Sequence, residues 1–201
     1  VAAYAMFANG GRRIEPTVVD RVQGRRGDTL WRHNAQRCPA CETASLEEVP
    51  NPIPSGNRIM DPITAYQVTS MLEGTTTQGT ATRAFADVPV PVAGKTGTTN
   101  EARDVWFVGF TSEIAAGCFV GFDEPTPLGR GAFGGTICAP VVAEFFREVY
   151  RDRTAPPFRA PPGITRVTVN RWTGRPQGSG EVITEVFREG NGPEDGVVIG
   201  Q

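Results

Sequence analysis

The spacing of apolar residues along the chain predicts three helices. The first covers residues 1–8 and ends at the glycine pair that follows Asn9. The second has Asp61 as its N-cap and Pro62 in its first turn, and it ends at Gly74, because the threonine-rich stretch that follows favours other structure. The third begins at Pro140. Each of the last two is expected to bury one apolar face, made of Ile63, Tyr66, Met71 and Leu72 in one helix and of Val141, Val142, Phe145, Phe146, Val149 and Tyr150 in the other.

Apolar runs of a different kind predict strands. Residues 105–110 and 114–122 are separated by hairpin spacing, and nearly every position in both is apolar. We therefore expect both strands to be central in a sheet that is covered on both faces. A smaller hairpin is predicted within residues 17–31, and the polar, proline-containing residues 33–58 are predicted to form an exposed loop.

These elements predict an α+β fold with a mainly antiparallel sheet flanked by helices. The composition changes after residue 154, where four prolines mark a linker. Strand patterns at 165–169 and 181–187 then indicate a small β-rich tail, without visible chemistry. The predicted division is residues 1–154 for the main domain and 155–201 for the Pro/Gly-rich linker and tail.

Length, charge and termini narrow the function. A formal net charge of −2 on 201 residues argues against nucleic acid as a partner. No apolar run reaches the roughly 18 residues that a membrane span requires. The sequence starts at Val1 without an initiator Met or a leader-like segment, so we interpret it as a piece of a longer protein. Any export signal or membrane anchor would then lie in the missing part.

The four cysteines fall into two pairs. Cys38 and Cys41 form a C-x-x-C in a polar loop, which could be a loop disulfide, half of a zinc site or a redox dithiol. The single His33 and the absence of a second C-x-x-C weaken the zinc alternative, and Pro39 nearby weakens the redox one. Cys118 and Cys138 are predicted to be small buried hydrophobic residues rather than reactive groups.

One cation stands out, since Lys95 is the single lysine among 20 Lys and Arg residues. A compact ammonium kept in an arginine background indicates a specific role, although a lone lysine on an edge strand is the simpler alternative. A phosphate-binding loop is excluded, because the motif needs glycine where this chain has Pro89, and Pro91 also lacks an N–H for phosphate. The residues after Thr99 also have a strand pattern where that motif requires a helix.

Lys95, Thr96 and Gly97 instead match the K-T-G motif that serine acyl-transferases carry on a strand. The flanking residues 92–100, VAGKTGTTN, and 104–110, DVWFVGF, closely resemble the bifunctional class A penicillin-binding proteins. Residues 4–11, 62–74 and 79–81 resemble the same family in order and at matching spacing, from Val1 to about Arg151. The resemblance implies an incomplete penicillin-binding/serine β-lactamase-like transpeptidase fold.

The resemblance also implies a site and a reaction. The family uses a serine to attack D-alanyl-D-alanine stem peptides of peptidoglycan, and β-lactams imitate that donor. By resemblance, Thr96 and Thr98 bind the donor carboxylate, and Lys95 supplies positive charge nearby. Gly97 and Thr99 are the other substrate-binding residues of the strand. The backbone N–H of Thr98 is implied to be an oxyanion donor. No metal or other cofactor is implied. The location implied is the bacterial periplasm or cell envelope, with the parent protein anchored to the cytoplasmic membrane.

The family's nucleophile motif, Ser-x-x-Lys, is missing, because Val92 stands three residues before the only lysine. The single match to Ser-x-Asn, at Ser55, Gly56 and Asn57, lies in the wrong place along the chain to be the second family motif. We expect an upstream part of the same protein to supply both motifs and a glycosyltransferase domain. The alternatives are a non-catalytic module that binds peptidoglycan and a serine β-lactamase. A Ser-His-Asp hydrolase is disfavoured, because this sequence has no recognisable nucleophile elbow beside its single His33.

Overall fold

A computed structural model of the chain describes residues 1–33, 56–176 and 180–193. The four helices in these ranges are α1 (Ala2–Ala8), α2 (Pro62–Thr77), α3 (Thr82–Phe85) and α4 (Cys138–Val149). The seven strands are β1 (Arg21–Gln23), β2 (Thr29–Arg32), β3 (Ala93–Thr98), β4 (Asp104–Phe110), β5 (Ala115–Gly121), β6 (Ile164–Asn170) and β7 (Val182–Arg188). All strand pairs are antiparallel, which confirms the predicted α+β fold. Cys38 and Cys41 lie outside the described residues.

The main sheet has the strand order β3-β4-β5. Because side chains alternate along a strand, its register divides the residues between two faces. Thr96 pairs with Phe107 and Thr98 with Val105, so these four share one face. The opposite face carries Lys95, Gly97, Trp106 and Val108.

The face that carries Phe107 is covered by helices. Phe107 is fully buried and its ring lies 5.1 Å from that of Phe85 in α3. Helix α4 completes the layer with Phe146, which is also fully buried. Tyr150 lies at the end of this core, where its hydroxyl and that of Thr111 form a 2.8 Å hydrogen bond. Within α4, Val141 and Phe145 are exposed, so the predicted apolar stripe is buried only in part.

The opposite face is covered at one end only. Tyr4 of α1 packs against Phe110 with ring centroids 6.3 Å apart. At the other end, the rings of Trp106 and Phe119 pack together with centroids 4.6 Å apart, and the two residues stay 44% and 50% exposed. The prediction that both apolar strands are central is therefore correct for β4 and wrong for β5. The predicted cover on both faces is incomplete for both strands, because Trp106 of β4 and Phe119 of β5 stay exposed. In the described part of the chain β5 is an edge strand, and its Phe119 ring packs against Trp106 of β4.

Helix α2 differs from its prediction in length and in buried face. It continues past Gly74 to Thr77, because Thr76 and Thr77 donate their hydroxyls to the Glu73 carbonyl and so stay compatible with helix. Its buried residues are small ones, Ala65, Thr69 and Thr76, whereas Met71 is 61% exposed. Small side chains let α2 approach β3 closely, and the Thr76 hydroxyl also reaches the Val92 carbonyl at 2.5 Å.

Cys118 and Cys138 are joined in a disulfide, so their prediction as two separate buried hydrophobic residues is wrong. Cys118 lies opposite Phe107 on the helix-covered face of β5, and fully buried Cys138 begins α4. Their Cα atoms are 5.3 Å apart, within the usual range for disulfides. No local pattern of residues indicates this pairing, because the two cysteines are 20 positions apart and become neighbours only when α4 packs on the sheet.

The predicted tail strands are present as the β6–β7 hairpin, which lies against α2. The side-chain amide of Gln67 donates to the Val186 carbonyl at 3.3 Å. Arg166 donates to the Tyr66 hydroxyl at 2.7 Å, and Arg188 pairs with Asp61 at 2.8 Å. The division of the chain at residue 154 stays a prediction. None of the helices described is both long and apolar enough to cross a bilayer.

Candidate functional site

Strand β3 holds Lys95, Thr96, Gly97 and Thr98 at the edge of the main sheet. Lys95 and Thr98 are exposed, and Thr96 and Gly97 are half-buried. The alternation of the strand places the two threonine side chains on one face and the lysine on the other. The ammonium of Lys95, the threonine hydroxyls and the backbone are thus all available along β3, which pairs only with β4 among the described residues.

The ammonium group of Lys95 stays close to the strand. Its Nζ atom donates to the carbonyl oxygen of Thr96 at 2.8 Å. This bond holds the positive charge beside the backbone of Thr96, although the lysine side chain leaves the strand on the face opposite the two threonine side chains. An ammonium has three donors, so two remain for other groups.

The hydroxyl oxygen of Thr98 accepts a hydrogen bond from the loop that precedes α4. The backbone N–H of Gly134 donates to Thr98 Oγ1 at 3.1 Å. An N–H can only donate, so the Thr98 oxygen accepts here and its own proton is left for another acceptor. Thr98 therefore presents a hydroxyl donor at the strand edge.

Gly134 belongs to a loop, residues 133–136, that crosses the β3–β4 pair just before α4. A Cβ atom on Gly134 would come within 2.6 Å of the Gly97 carbonyl oxygen and would also meet the Trp106 carbonyl. Gly135 has the same constraint against the carbonyl of Thr80. Only glycine allows the 133–136 loop to approach the backbone of the candidate site this closely.

A second hydroxyl pair lies beside the first. The Oγ1 atoms of Thr80 and Thr96 are 2.8 Å apart, and either can be the donor. Thr80 comes from the turn between α2 and α3, and it is exposed. The α2–α3 turn, β3 and the 133–136 loop therefore meet at the two threonines of the strand.

Thr99 has a different environment from its neighbours. Its hydroxyl accepts from the Asp104 N–H at 2.8 Å and lies 3.3 Å from the Asp104 carbonyl. These bonds close the turn between β3 and β4, in which Glu101 and Ala102 have positive φ values of 60° and 50°. A binding role for Thr99 stays a prediction.

A polar cleft of about 390 Å³ lies elsewhere, between α2 and the C-terminal hairpin. Glu73 and Glu185 line it, and burial raises the pKa of both carboxyl groups. The charge of Arg166 acts against the shift at Glu73. No β3 residue lines this cleft, so we assign the candidate site by its chemistry rather than by the size of the cavity. The described residues contain no group of three or more His, Cys, Asp or Glu side chains placed to hold a metal ion.

The sequence prediction located β3 but missed two of its neighbours. The resemblance includes Thr80 only as part of residues 79–81, and it implies no role for the 133–136 loop. A weak indication existed, because the adjacent Gly134 and Gly135 stand directly before a helix. Their contact with β3 depends on how the sheet and α4 pack.

Comparisons with known proteins identify the family of the chain. The chain matches the family described as "Penicillin binding protein transpeptidase domain" over residues 1–147. Penicillin-binding protein 1A of Rickettsia prowazekii (strain Madrid E) is 37% identical over 195 residues, which cover 94% of this chain and 24% of that protein. Penicillin-binding protein 1A of Pseudomonas aeruginosa is 32% identical over 225 residues, which cover 95% of this chain and 27% of that protein.

The fold is also similar to a solved structure. The crystal structure of penicillin-binding protein 1A from Haemophilus influenzae superposes with a TM-score of 0.77 at 25% identity, covering 98% of this chain and 32% of that one. The chain thus spans about a quarter of the length of the curated relatives that it matches. On these matches, the chain belongs to the penicillin-binding protein transpeptidase family.

Proposed function

We propose that this chain supplies one side of the site of a serine D,D-transpeptidase that cross-links peptidoglycan. In this reaction a serine attacks the carbonyl of a D-alanyl-D-alanine stem peptide and releases the terminal D-alanine. The acyl group then passes to an amine of a neighbouring stem peptide. A β-lactam takes the place of the donor and stays attached to the serine.

The observation that carries the proposal is the hydrogen bond from the Gly134 N–H to the exposed Thr98 hydroxyl oxygen, which leaves the Thr98 proton available to a ligand. The donor peptide ends in a carboxylate, which accepts hydrogen bonds and cannot donate them when ionised. Gly134 holds the Thr98 oxygen as an acceptor, so the free proton suits a carboxylate. Lys95, Thr96 and Gly97 belong to the same proposed contact, with the ammonium contributing charge and the small glycine giving the peptide room.

The open edge of β3 supports the orientation of the substrate. An extended peptide can bind such an edge as an added strand through backbone hydrogen bonds. In that pose we assign the backbone N–H of Thr98 as one oxyanion donor. In well-studied enzymes, removing one such donor costs about 3–4 kcal/mol of transition-state stabilisation.

The nucleophile would come from outside these 201 residues. The only lysine, Lys95, is preceded by Val92 at the position where Ser-x-x-Lys requires serine. We propose that an upstream segment of a longer protein supplies the Ser-x-x-Lys and Ser-x-Asn motifs, and that a glycosyltransferase domain accompanies them. By itself, the chain described here would then be inactive.

We place the protein in the bacterial cell envelope, on the periplasmic side and with its anchor in an upstream segment. The disulfide between Cys118 and Cys138 supports this location, because structural disulfides persist in oxidising compartments and are rare in the cytosol.

The test is covalent labelling of the full-length protein with a fluorescent penicillin, read by intact mass. We expect the wild type to gain one label, the Lys95→Ala variant to be labelled at least about a hundredfold more slowly, and the 201-residue chain to stay unlabelled. A folded full-length protein that takes no label would refute the acyl-enzyme mechanism. The absence of Ser-x-x-Lys would then favour the alternative, a non-catalytic module that binds peptidoglycan.

A further inference from the structure

Thr80 is held in place by the elements around it. In the turn that contains it, the Ala81 N–H donates to the Thr75 carbonyl at 3.0 Å, which ties the turn to the end of α2. Gly135 packs directly on the Thr80 carbonyl, where a larger residue has no room. The backbone of Thr80 is therefore fixed on two sides, while its side chain reaches toward β3.

The side chain has one hydrogen-bond partner among the described residues, the hydroxyl of Thr96 at 2.8 Å. Each hydroxyl has one proton and two acceptor positions. One proton is used between the two oxygens, so the pair as a whole has one proton left. The pair can therefore donate one hydrogen bond to a ligand, as Thr98 can donate another.

The direction of the shared bond decides which residue faces the ligand. If Thr80 donates to Thr96, the Thr96 proton is free at the strand edge, beside the Thr98 proton. Two parallel hydroxyl donors on alternate residues of one strand then match the two oxygens of a carboxylate. A hydroxyl that accepts one hydrogen bond also becomes a better donor of the next.

We propose that Thr80 is a positioning residue for the carboxylate site, in that its hydroxyl donates to Thr96 and so directs the Thr96 proton to the ligand. This inference rests on the proposed function and adds to it a specificity for carboxylate-bearing ligands. Thr80 acts through Thr96, so the two residues form one functional unit, and a ligand without a carboxylate gains nothing from it.

The experiment compares second-order acylation rate constants of the full-length protein with a penicillin and with its methyl ester, which lacks the free carboxylate. Thr80→Val removes the hydroxyl at nearly constant shape, and Thr80→Ser keeps it. Thr77→Val is the matched control, because Thr77 is exposed nearby on α2 and its hydroxyl bonds only within that helix, to the Glu73 carbonyl. A Thr80→Val, Thr96→Val double variant completes a double-mutant cycle.

We expect Thr80→Val to slow acylation by the penicillin about tenfold, because Thr96 is no longer directed to donate to the carboxylate, with little change for the ester. Thr80→Ser and Thr77→Val should stay within about twofold of the wild type, and the double variant should equal Thr96→Val alone. Equal rates for Thr80→Val and wild type would overturn the inference. So would equal slowing for penicillin and ester, or additive effects in the cycle.

Two controls keep these outcomes interpretable. If Thr80→Val does not fold, Thr80→Ala and Thr80→Ser give the same comparison of a missing and a retained hydroxyl. A wild type that takes no label refutes the proposed function itself. A wild type that is labelled, with Thr80→Val unchanged, refutes only the role of Thr80.

Discussion

The candidate site and the C-terminal hairpin both lie against helix α2, but the contacts that hold each of them to the rest of the molecule differ in kind. Around β3 the attachments are close and partly buried: the Thr76 hydroxyl bonds the Val92 carbonyl, and Gly134 lies on the backbone of Gly97. The β6–β7 hairpin is attached by long side chains at the surface, such as Arg166 to Tyr66. Of its own residues, Val169 and Val186 are buried, while Trp172 is 76% exposed.

This difference shows that the structure near β3 tolerates substitutions less well than the β6–β7 hairpin does. A backbone that lies against another backbone tolerates no extra atom, because interiors are packed to the density of crystals. Long polar side chains at a surface can move, and exposed ion pairs contribute about 0–1 kcal/mol. We therefore expect substitutions near β3 to have large effects on structure and labelling, and substitutions at the hairpin to have small ones.

The largest effect on labelling is expected for Gly134→Ala. Its Cβ would collide with the Gly97 and Trp106 carbonyls, displace the 133–136 loop and remove the bond to Thr98. We expect a loss of stability of about 1–3 kcal/mol, and penicillin labelling about a hundredfold slower. The matched control is Gly192→Ala in the C-terminal segment, where the nearest atom to a new Cβ would be Val167 Cγ2 at 3.8 Å. Similar effects for both substitutions would contradict the comparison.

The next effect is expected for loss of the disulfide. In a Cys118→Ala, Cys138→Ala double variant, β5 and the start of α4 are no longer joined, and α4 follows the loop that holds Thr98. A cross-link over 20 positions stabilises by about 3 kcal/mol in the chain-entropy description. Thermal unfolding of the full-length protein should show a lower melting temperature than wild type under oxidising conditions. Reductant should lower the wild-type value and leave that of the double variant unchanged; a reductant effect in the double variant would point to other cysteines.

The smallest effect is expected at the cleft between α2 and the hairpin. Burial raises the pKa of Glu73, so the folded protein binds this proton more tightly than the unfolded chain does. Ionisation of Glu73 therefore costs stability above the folded-state pKa, and the cost disappears as the pH falls toward the unfolded-state value. Glu73→Gln should raise stability at neutral pH by about 0.5 kcal/mol or less, and should have no such effect near pH 4.

Melting curves of the full-length protein from pH 4 to pH 8 measure this difference. The control is Glu189→Gln, which neutralises an exposed carboxyl group near the end of the same hairpin. A destabilising Glu73→Gln at neutral pH would mean that the attraction between Glu73 and Arg166 outweighs burial. The hairpin would then be held more strongly than its surface contacts indicate.

Much of the local structure could be predicted because it depends on neighbours in sequence. Asp61 and Pro62 start α2 as expected, and the Asp61 carboxylate accepts from the backbone N–H groups of Ile63 and Thr64. The bond from Thr64, followed by the interaction with Arg188 and the bond from Ile63, lowers the pKa of Asp61. The end of α2 was predicted too early, because threonine propensity is a weak guide where hydroxyls can bond to carbonyls within the helix.

The sequence alone determined the order of the elements apart from the short helix α3, the antiparallel pairing of β4 with β5 and the strand that carries Lys95, Thr96 and Thr98. These features follow from the period of apolar residues and from a motif of adjacent residues. Tertiary structure alone decided that Cys118 meets Cys138, that Gly134 orients Thr98 and that Thr80 reaches Thr96. The last two contacts join residues 36 and 16 positions apart. Sheet register and helix packing set such contacts, and no local pattern of residues encodes them.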